Sequence, residues 1–340
     1  MAWNNSKEID DINRNLGGLS FQDQRVLVTG GAGFLGSWIC DVLVAQGAEV
    51  ECVDNLSSGL QSNISHLLDS DRFHFTKHDV SEPISFDERL DLVIHMASRA
   101  SPFEFEHYPI EILKANTIGL MVALEIAKKH KSKVIYTSTS EIYGNPQVVP
   151  TPESYYGYVN SVGPRGCYDE AKRCGEAYVV AYRRQYGLNT RIARIFNTYG
   201  PRIRWDGIYA RAVPRFISQA LSGKHITIFG EGTQTRSFTY ITDQIEGLLR
   251  LAAKDEAQGS IVNIGNDKET KIIDVAKMIL DITGSRSGIT YQPLPEDDPL
   301  RRRPDISRAR NLLGWEPKVE LEDGLRRTVE WFRSRGGYVS

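Results

Sequence analysis

At 340 residues, 41% apolar and 25% charged, the chain has the balance of an ordinary soluble globular protein, with room for one large α/β domain or two unequal lobes. A formal net charge of −2 offers no global field toward nucleic acid or an anionic membrane. No apolar run approaches the roughly 20 residues of a spanning helix, so neither nucleic acid nor membrane is expected as a partner. Residues 1–20 are polar, include acidic side chains and lack an apolar signal core; they read as a short tail or an added helix on a cytoplasmic protein. The four cysteines, Cys40, Cys52, Cys167 and Cys174, form no Cys-x-x-Cys pair and have no histidines at ligand spacing. No metal site is expected from them, and small apolar side chains in a reducing compartment account for them.

The first strand signal is the β-branched run Arg25-Val-Leu-Val-Thr29, followed at once by Gly30-Gly-Ala-Gly33-Phe34-Leu35-Gly36 and an apolar-periodic helix. Strand, glycine turn and helix in this order suit a dinucleotide. The glycines allow a tight turn and close approach of a pyrophosphate, and the helix N-terminus offers unpaired N–H groups to its charge. A second strand ends in Asp54, placed to grip an adenosine ribose diol and to repel a 2′-phosphate, which selects NAD over NADP. Asn55 follows in a polar loop without arginine. The third strand, from Phe73, runs to Asp79 and Val80, where a carboxylate can meet the adenine edge. The fourth, Asp91-Leu-Val-Ile-His95, is apolar enough for burial on both faces, and His95 reads as a packed strand residue.

A helix carrying Ile112 through Ala127 precedes the fifth strand, Lys133-Val-Ile-Tyr-Thr137, which runs into Ser138-Thr139-Ser140-Glu141. Hydroxyls there sit at the carboxyl edge of a parallel sheet, where ligands bind. Tyr168 and Lys172 lie four apart in a segment that reads as helix to Gly187, so both project from one face. A nearby ammonium favours the phenolate and should bring the tyrosine toward the range of a working base. A sixth strand from Asn189 leads to Asn197. Beyond Gly200 the pattern loosens into a smaller lobe with helices near 213–221 and 272–282, strand-like pieces, and the run Asp297-Asp-Pro-Leu-Arg301-Arg302-Arg303. The adjacent arginines suit either a solvated face or an anion clamp. Alternating strands and helices give a Rossmann-type doubly wound parallel sheet with a smaller C-terminal substrate-binding lobe. The expected division is a tail over 1–20, the NAD-binding domain over 21–200 with later segments returning to it, and the lobe over 201–335.

These stretches together resemble the extended short-chain dehydrogenase/reductases that act on nucleotide-sugars. Within them, Thr139-Ser-Glu-Ile-Tyr-Gly, Gly163-Pro-Arg through Tyr168-Asp-Glu-Ala-Lys172, Arg194 through Arg202, Gln234-Thr-Arg236-Ser-Phe and Asp297-Asp-Pro are similar to the UDP-glucuronate decarboxylases (UDP-xylose synthases). The resemblance implies that Gly30, Gly33, Phe34, Leu35, Gly36, Asp54, Asn55, Asp79 and Val80 hold NAD together with Tyr168 and Lys172. It implies that Tyr168 takes the sugar 4-hydroxyl proton, Lys172 keeps the tyrosine ionised, and Thr139 bonds the oxygen on carbon 4. Glu141 becomes the acid/base near carbon 5 and Arg302 the partner of the carboxylate. Asn197, Arg202 and Arg236 become uridine diphosphate contacts, and the molecule a homodimer. Arg99 and Ser161-Val162 depart from the family pattern, Arg99 near the expected sugar position. A UDP-sugar 4-epimerase such as a UDP-glucuronate 4-epimerase, a 4,6-dehydratase, a decarboxylase that releases its 4-keto product and a non-catalytic NAD-binding sensor are the competing readings.

Overall fold

The computed structural model describes residues 5–206, 211–295 and 297–336. Its centre is a seven-stranded parallel sheet formed by β1 (Arg25–Thr29), β2 (Glu49–Asp54), β3 (Phe73–Lys77), β4 (Leu92–His95), β5 (Lys133–Thr139), β6 (Thr190–Ile195) and the later strand Ile261–Ile264. From one edge the order is Ile261–Ile264, β6, β5, β4, β1, β2, β3, so the winding reverses between β4 and β1. Thr29 is level with Val53 on one side and His95 on the other, which brings the carboxyl ends of β2, β1 and β4 to one crevice. That is where such a sheet binds ligands.

Alternation along the strands decides which helices cover which face. Val26 and Val28 point into a core shared with α2 (Phe34–Ala45) and, farther along the chain, α8 (Ile241–Ala253). Leu27, Val93, Val134 and Ile192 point the other way, toward Leu120, Ala123 and Leu124 of a helix on the opposite side and Val179 beyond it. Burial on both faces explains why β4 lacks polar alternation. It also explains His95: fully buried, its Nδ1 lies 2.9 Å from Thr29 Oγ1, and burial pulls its pKa down to about 3. His95 is a neutral packing residue.

Several boundaries differ from the sequence reading. The helix expected over 112–127 is two, α4 (Pro109–Asn116) and α5 (Ile118–His130), separated at Thr117, whose hydroxyl donates back to Leu113 O at 2.7 Å. A short α3 (Pro102–His107) precedes them, closed by a capping box between Ser101 and Glu104. The Tyr168 helix, α6, spans Gly166–Tyr186 and ends on Gly187 at φ 68°, where the left-handed cap suits glycine. Residues 1–4 lie outside the described residues, but α1 (Ser6–Leu16) is a built part of the fold. Its buried Glu8 accepts from Tyr240 at 2.9 Å and from Arg327 at 3.0 Å.

The strand Ile261–Ile264 and α8 return to the main sheet, so the smaller lobe is built from α7 (Ala212–Leu221), α9 (Ile272–Thr283) and the parallel pair Ile226–Phe229 and Ile289–Gln292. The last helix, α10 (Leu321–Arg335), packs Leu325, Val329 and Phe332 into the common core. Among the described residues no helix is long and apolar enough to cross a membrane.

Candidate active site

The sequence-predicted residues converge on a single cleft of ≈ 890 Å³ over the carboxyl ends of the strands. At one end lies the glycine turn. Gly30 has φ 74°, and a Cβ there would sit 2.7 Å from Ala97 N; at Gly36 it would sit 2.2 Å from Gly30 O. Gly33 caps α2 in an extended conformation without a side chain in the way, so the first N–H groups of the helix face the cleft beside Phe34 and Leu35. Asp54 is 7% exposed and accepts from Ala32 N at 3.1 Å and Leu56 N at 2.8 Å, tying the end of β2 to the turn. Burial raises its pKa against those two bonds. Asn55 donates to Asp79 at 2.9 Å, and Val80 packs behind, so the expected adenosine side is one connected wall.

These features fit NAD: a cradle that a Cβ would fill, unpaired helix N–H groups and a carboxylate beside them. Gly36→Ala should therefore lower NAD affinity more than tenfold and destabilise the protein by about 1–3 kcal/mol, because the clash is with backbone. Cofactor titration and thermal melting together check both effects.

At the other end, Thr139 closes β5 and its Oγ1 accepts from Glu141 N at 3.2 Å. The Thr139 side chain also hydrogen-bonds Tyr168, which is 6% exposed and stacked on Phe105 with centroids 5.0 Å apart. Lys172, one turn along α6, donates to Thr137 O at 2.7 Å and lies 5.9 Å from the centre of the Tyr168 ring. Close approach of α6 to β5 depends on Gly175, where a Cβ would meet Tyr136 Oη at 2.1 Å.

The electrostatics differ from the sequence expectation. Burial pushes the Tyr168 phenol up to about 12, with Arg211 and the Thr139 bond pulling it back, and burial pulls Lys172 down to about 7. Sharing a helix face does not by itself lower the phenol, because both groups lose water.

Glu141 is the centre of an ion cluster. Arg302 donates to it from both ends of its fork, Nη1 to Oε1 at 2.5 Å and Nη2 to Oε2 at 2.7 Å, and Arg165 Nη2 bonds Oε2 as well. Burial raises the pKa of Glu141, but Arg165 and Arg302 outweigh it and hold the carboxyl at about 2. In this arrangement Glu141 is an anion anchored by two arginines, rather than the ready proton donor its sequence position suggested. Of the three adjacent arginines, Arg302 is the one that turns inward; Arg301 bonds Glu269 at 2.6 Å at the surface.

The expected diphosphate contacts also line the cleft, each with a protein partner. Arg236 bonds Asp298 at 2.7 Å. Arg202 bonds Asp41 at 2.5 Å and lies 4.3 Å over Trp38, which ties it to α2 and leaves one buried Nη1 without a partner. Asn197 Oδ1 is buried without a partner. Arg99 is turned aside, bonded to Glu104 at 3.0 Å and stacked on Tyr108 at 4.2 Å. The sequence reading assigned no role to Arg165, Asp169 or Arg211. Arg165 stood in the distinctive Gly163-Pro-Arg stretch, which was the available signal.

A parallel sheet reversed at β1 and β4, a glycine cradle, and Thr139, Tyr168 and Lys172 at the far wall define a nicotinamide-dependent enzyme of the nucleotide-sugar class. The NAD dependent epimerase/dehydratase family matches residues 26–265, and the chain belongs to it. Among its relatives, UDP-glucuronic acid decarboxylase 1 of Danio rerio is 45% identical over 92% of this chain and 74% of its own. UDP-glucuronic acid decarboxylase 6 of Arabidopsis thaliana is 44% identical over 93% of this chain and 90% of its own. Among solved structures, UDP-glucuronic acid 4-epimerase from Bacillus cereus, in complex with UDP-glucuronic acid and NAD, superposes with a TM-score of 0.82. It is 30% identical over 92% of this chain and 100% of its own.

Proposed function

We propose that the chain decarboxylates UDP-glucuronate to UDP-xylose through a 4-keto intermediate. The observation that carries this reading is the Glu141–Arg302–Arg165 cluster in the same cleft as Thr139, Tyr168 and Lys172. A uronate substrate needs cations that recognise its carboxylate beside the groups that oxidise the neighbouring carbinol, whereas 4-epimerisation of a neutral sugar needs only the latter. Relatives named UDP-glucuronic acid decarboxylase favour loss of the carboxylate over epimerisation of the same substrate. Bound NAD supplies the acceptor, and later the donor, of the hydride on carbon 4.

Tyr168 accepts the proton of the 4-hydroxyl while Thr139 holds the oxygen in line. The positive charge of Arg211 and the Thr139 hydroxyl offset part of the burial that opposes ionisation of the phenol. With a ketone at carbon 4, the bond from carbon 5 to the carboxylate breaks. Its electron pair flows into an enolate on the carbon 4 oxygen, and carbon dioxide leaves. Arg302 and Arg165 orient the carboxylate, and the Thr139 hydroxyl stabilises the developing oxyanion. Carbon 5 then takes a proton from a water that Glu141 orients as the acid/base near that carbon. With the hydride restored to carbon 4, Tyr168 returns its proton to the carbon 4 oxygen, so the sugar shows no net redox change.

In the proposed division of labour, residues 21–200 hold the cofactor, residues 201–335 mainly hold the nucleotide-sugar, and Asn197, Arg202 and Arg236 meet the uridine diphosphate. Of the expected tail over 1–20, the described residues from 5 onward are assigned to the fold through α1. A homodimer through the outer faces of α4, α5 and α6 is supported by exposed Leu113, Ile118 and Tyr186. Four free thiols suit a cytoplasmic location. Incubation with UDP-glucuronate and NAD tests the reading. Carbon dioxide with UDP-xylose is expected. UDP-galacturonate would make the chain an epimerase, free 4-keto sugar a releasing decarboxylase, and no turnover a sensor.

A further inference from the structure

Asp169 follows Tyr168 on α6 and takes no part in the mechanism above. It is 5% exposed and, among the described residues, its Oδ1 is buried without a partner and its Oδ2 reaches only Arg165 Nε, at 4.0 Å. The reason is competition. Arg302 and Arg165 spend their strongest donors on Glu141, so a second buried carboxyl is left with the remaining edge of one guanidinium. The charged groups acting on it are Glu141 from the turn after β5, Arg302 from the loop before α10, and Arg165 and Glu170 from α6 itself. Burial and then Glu141 raise its pKa to about 7, against the pull of Arg165 and Arg302.

We propose that Asp169 is a positioning and specificity residue that, by sharing Arg165 with Glu141, sets how much positive charge the cluster presents to a substrate carboxylate. This deepens the decarboxylase reading and rests on it. With Asp169 neutral, Arg165, Arg302 and the nearby Arg211 face the single anion of Glu141, and the cluster is positive toward an incoming carboxylate. With Asp169 ionised, one of those charges is offset and the attraction for the substrate carboxylate weakens. Asp169 therefore couples recognition of the acid group to pH without touching the sugar.

The test is the affinity ratio of UDP-glucuronate to UDP-glucose, measured by calorimetry between pH 6 and 8.5 on the enzyme loaded with NADH, which cannot accept the hydride and so leaves UDP-glucuronate unconverted. Both ligands share the nucleotide and the 4-hydroxyl, so titration effects on those contacts cancel in the ratio, and D169N separates the charge of Asp169 from that of Lys172, which titrates in the same range. The preference for UDP-glucuronate should fall by at least about tenfold across this range, since a unit charge within about 12 Å at an effective dielectric near 20 changes affinity by that factor or more. In D169N, with UDP-glucose still bound as in the wild type, the ratio should stay near its acidic value and keep only the shallower slope that Lys172 gives. A flat ratio in the wild-type enzyme overturns the proposal without reference to any variant, as does an unchanged slope in D169N. Failure of the underlying reading is distinct: no carbon dioxide is released from UDP-glucuronate at any pH.

Discussion

Tyr168→Phe is expected to reduce turnover on the order of 10³-fold, within the usual range for loss of a general acid–base group, while NAD remains bound. The substitution removes one oxygen and keeps the ring. The stack on Phe105 at 5.0 Å and the fit against α3 are retained, and the Thr139 side chain loses a partner. Stability should change by no more than about 1 kcal/mol, because one hydrogen bond is exchanged for a drier pocket. The loss should therefore be in kcat, with the glycine turn and the Asp54 wall that hold the rest of the cofactor unaffected. Carbon dioxide release from UDP-glucuronate measures the first effect, and quenching of tryptophan fluorescence by NAD the second. Turnover within tenfold of wild type would take the proton-accepting role away from Tyr168. Loss of NAD binding together with activity would mean that the ring itself is structural.

What the sequence revealed of this site is what lies close along the chain. Gly30, Gly33 and Gly36 are three apart, Asp54 ends the next strand, and Tyr168 and Lys172 share a helix turn, so each group carries its geometry in its spacing. The ion cluster has no such local record. Arg165 is 24 residues from Glu141 and Arg302 is 161 residues away, and only the return of the lobe across the sheet brings them together. Asp169 was invisible for a further reason: its significance lies in an unpaired oxygen, which depends on what its neighbours have already bonded. Burial depth was equally hidden. The expectation that Lys172 lowers Tyr168 followed from spacing, whereas the solvent lost by each group follows from Phe105, Tyr136 and the packing of α6 on β5. Beyond the site, α1 read as either a tail or an added helix, and its docking was hidden because its anchor, Glu8, is acidic and its partners Tyr240 and Arg327 lie far along the chain.

Glu141→Gln should lower kcat by about 10²- to 10³-fold while lowering, rather than raising, KM for UDP-glucuronate. The side chain keeps its shape and still accepts from Arg302, but the cluster loses its anchored anion. Arg302 and Arg165 then present more positive charge to the substrate carboxylate, which binds more tightly in a ground state that the variant decarboxylates poorly. UDP-glucose, with no carboxylate, should bind as before.

Acid unfolding gives an independent check with a definite sign. The folded pKa of Glu141 is depressed from 4.5 to about 2. Its contribution to stability is therefore present above pH 4.5 and lost as pH falls through 2. Wild type should melt above the variant at pH 6, and the gap should close between pH 4.5 and 2. Asp169 acts in the opposite sense. Its raised pKa makes ionisation costly to the folded state as pH rises from 3.8 toward 7, and removal of the Glu141 charge relieves part of that cost in the variant. The melting gap should consequently be largest near pH 5 and narrow again toward pH 8. A gap independent of pH would show that Glu141 holds the arginines by shape alone, and an unchanged kcat would leave it as their anchor with no part in the chemistry.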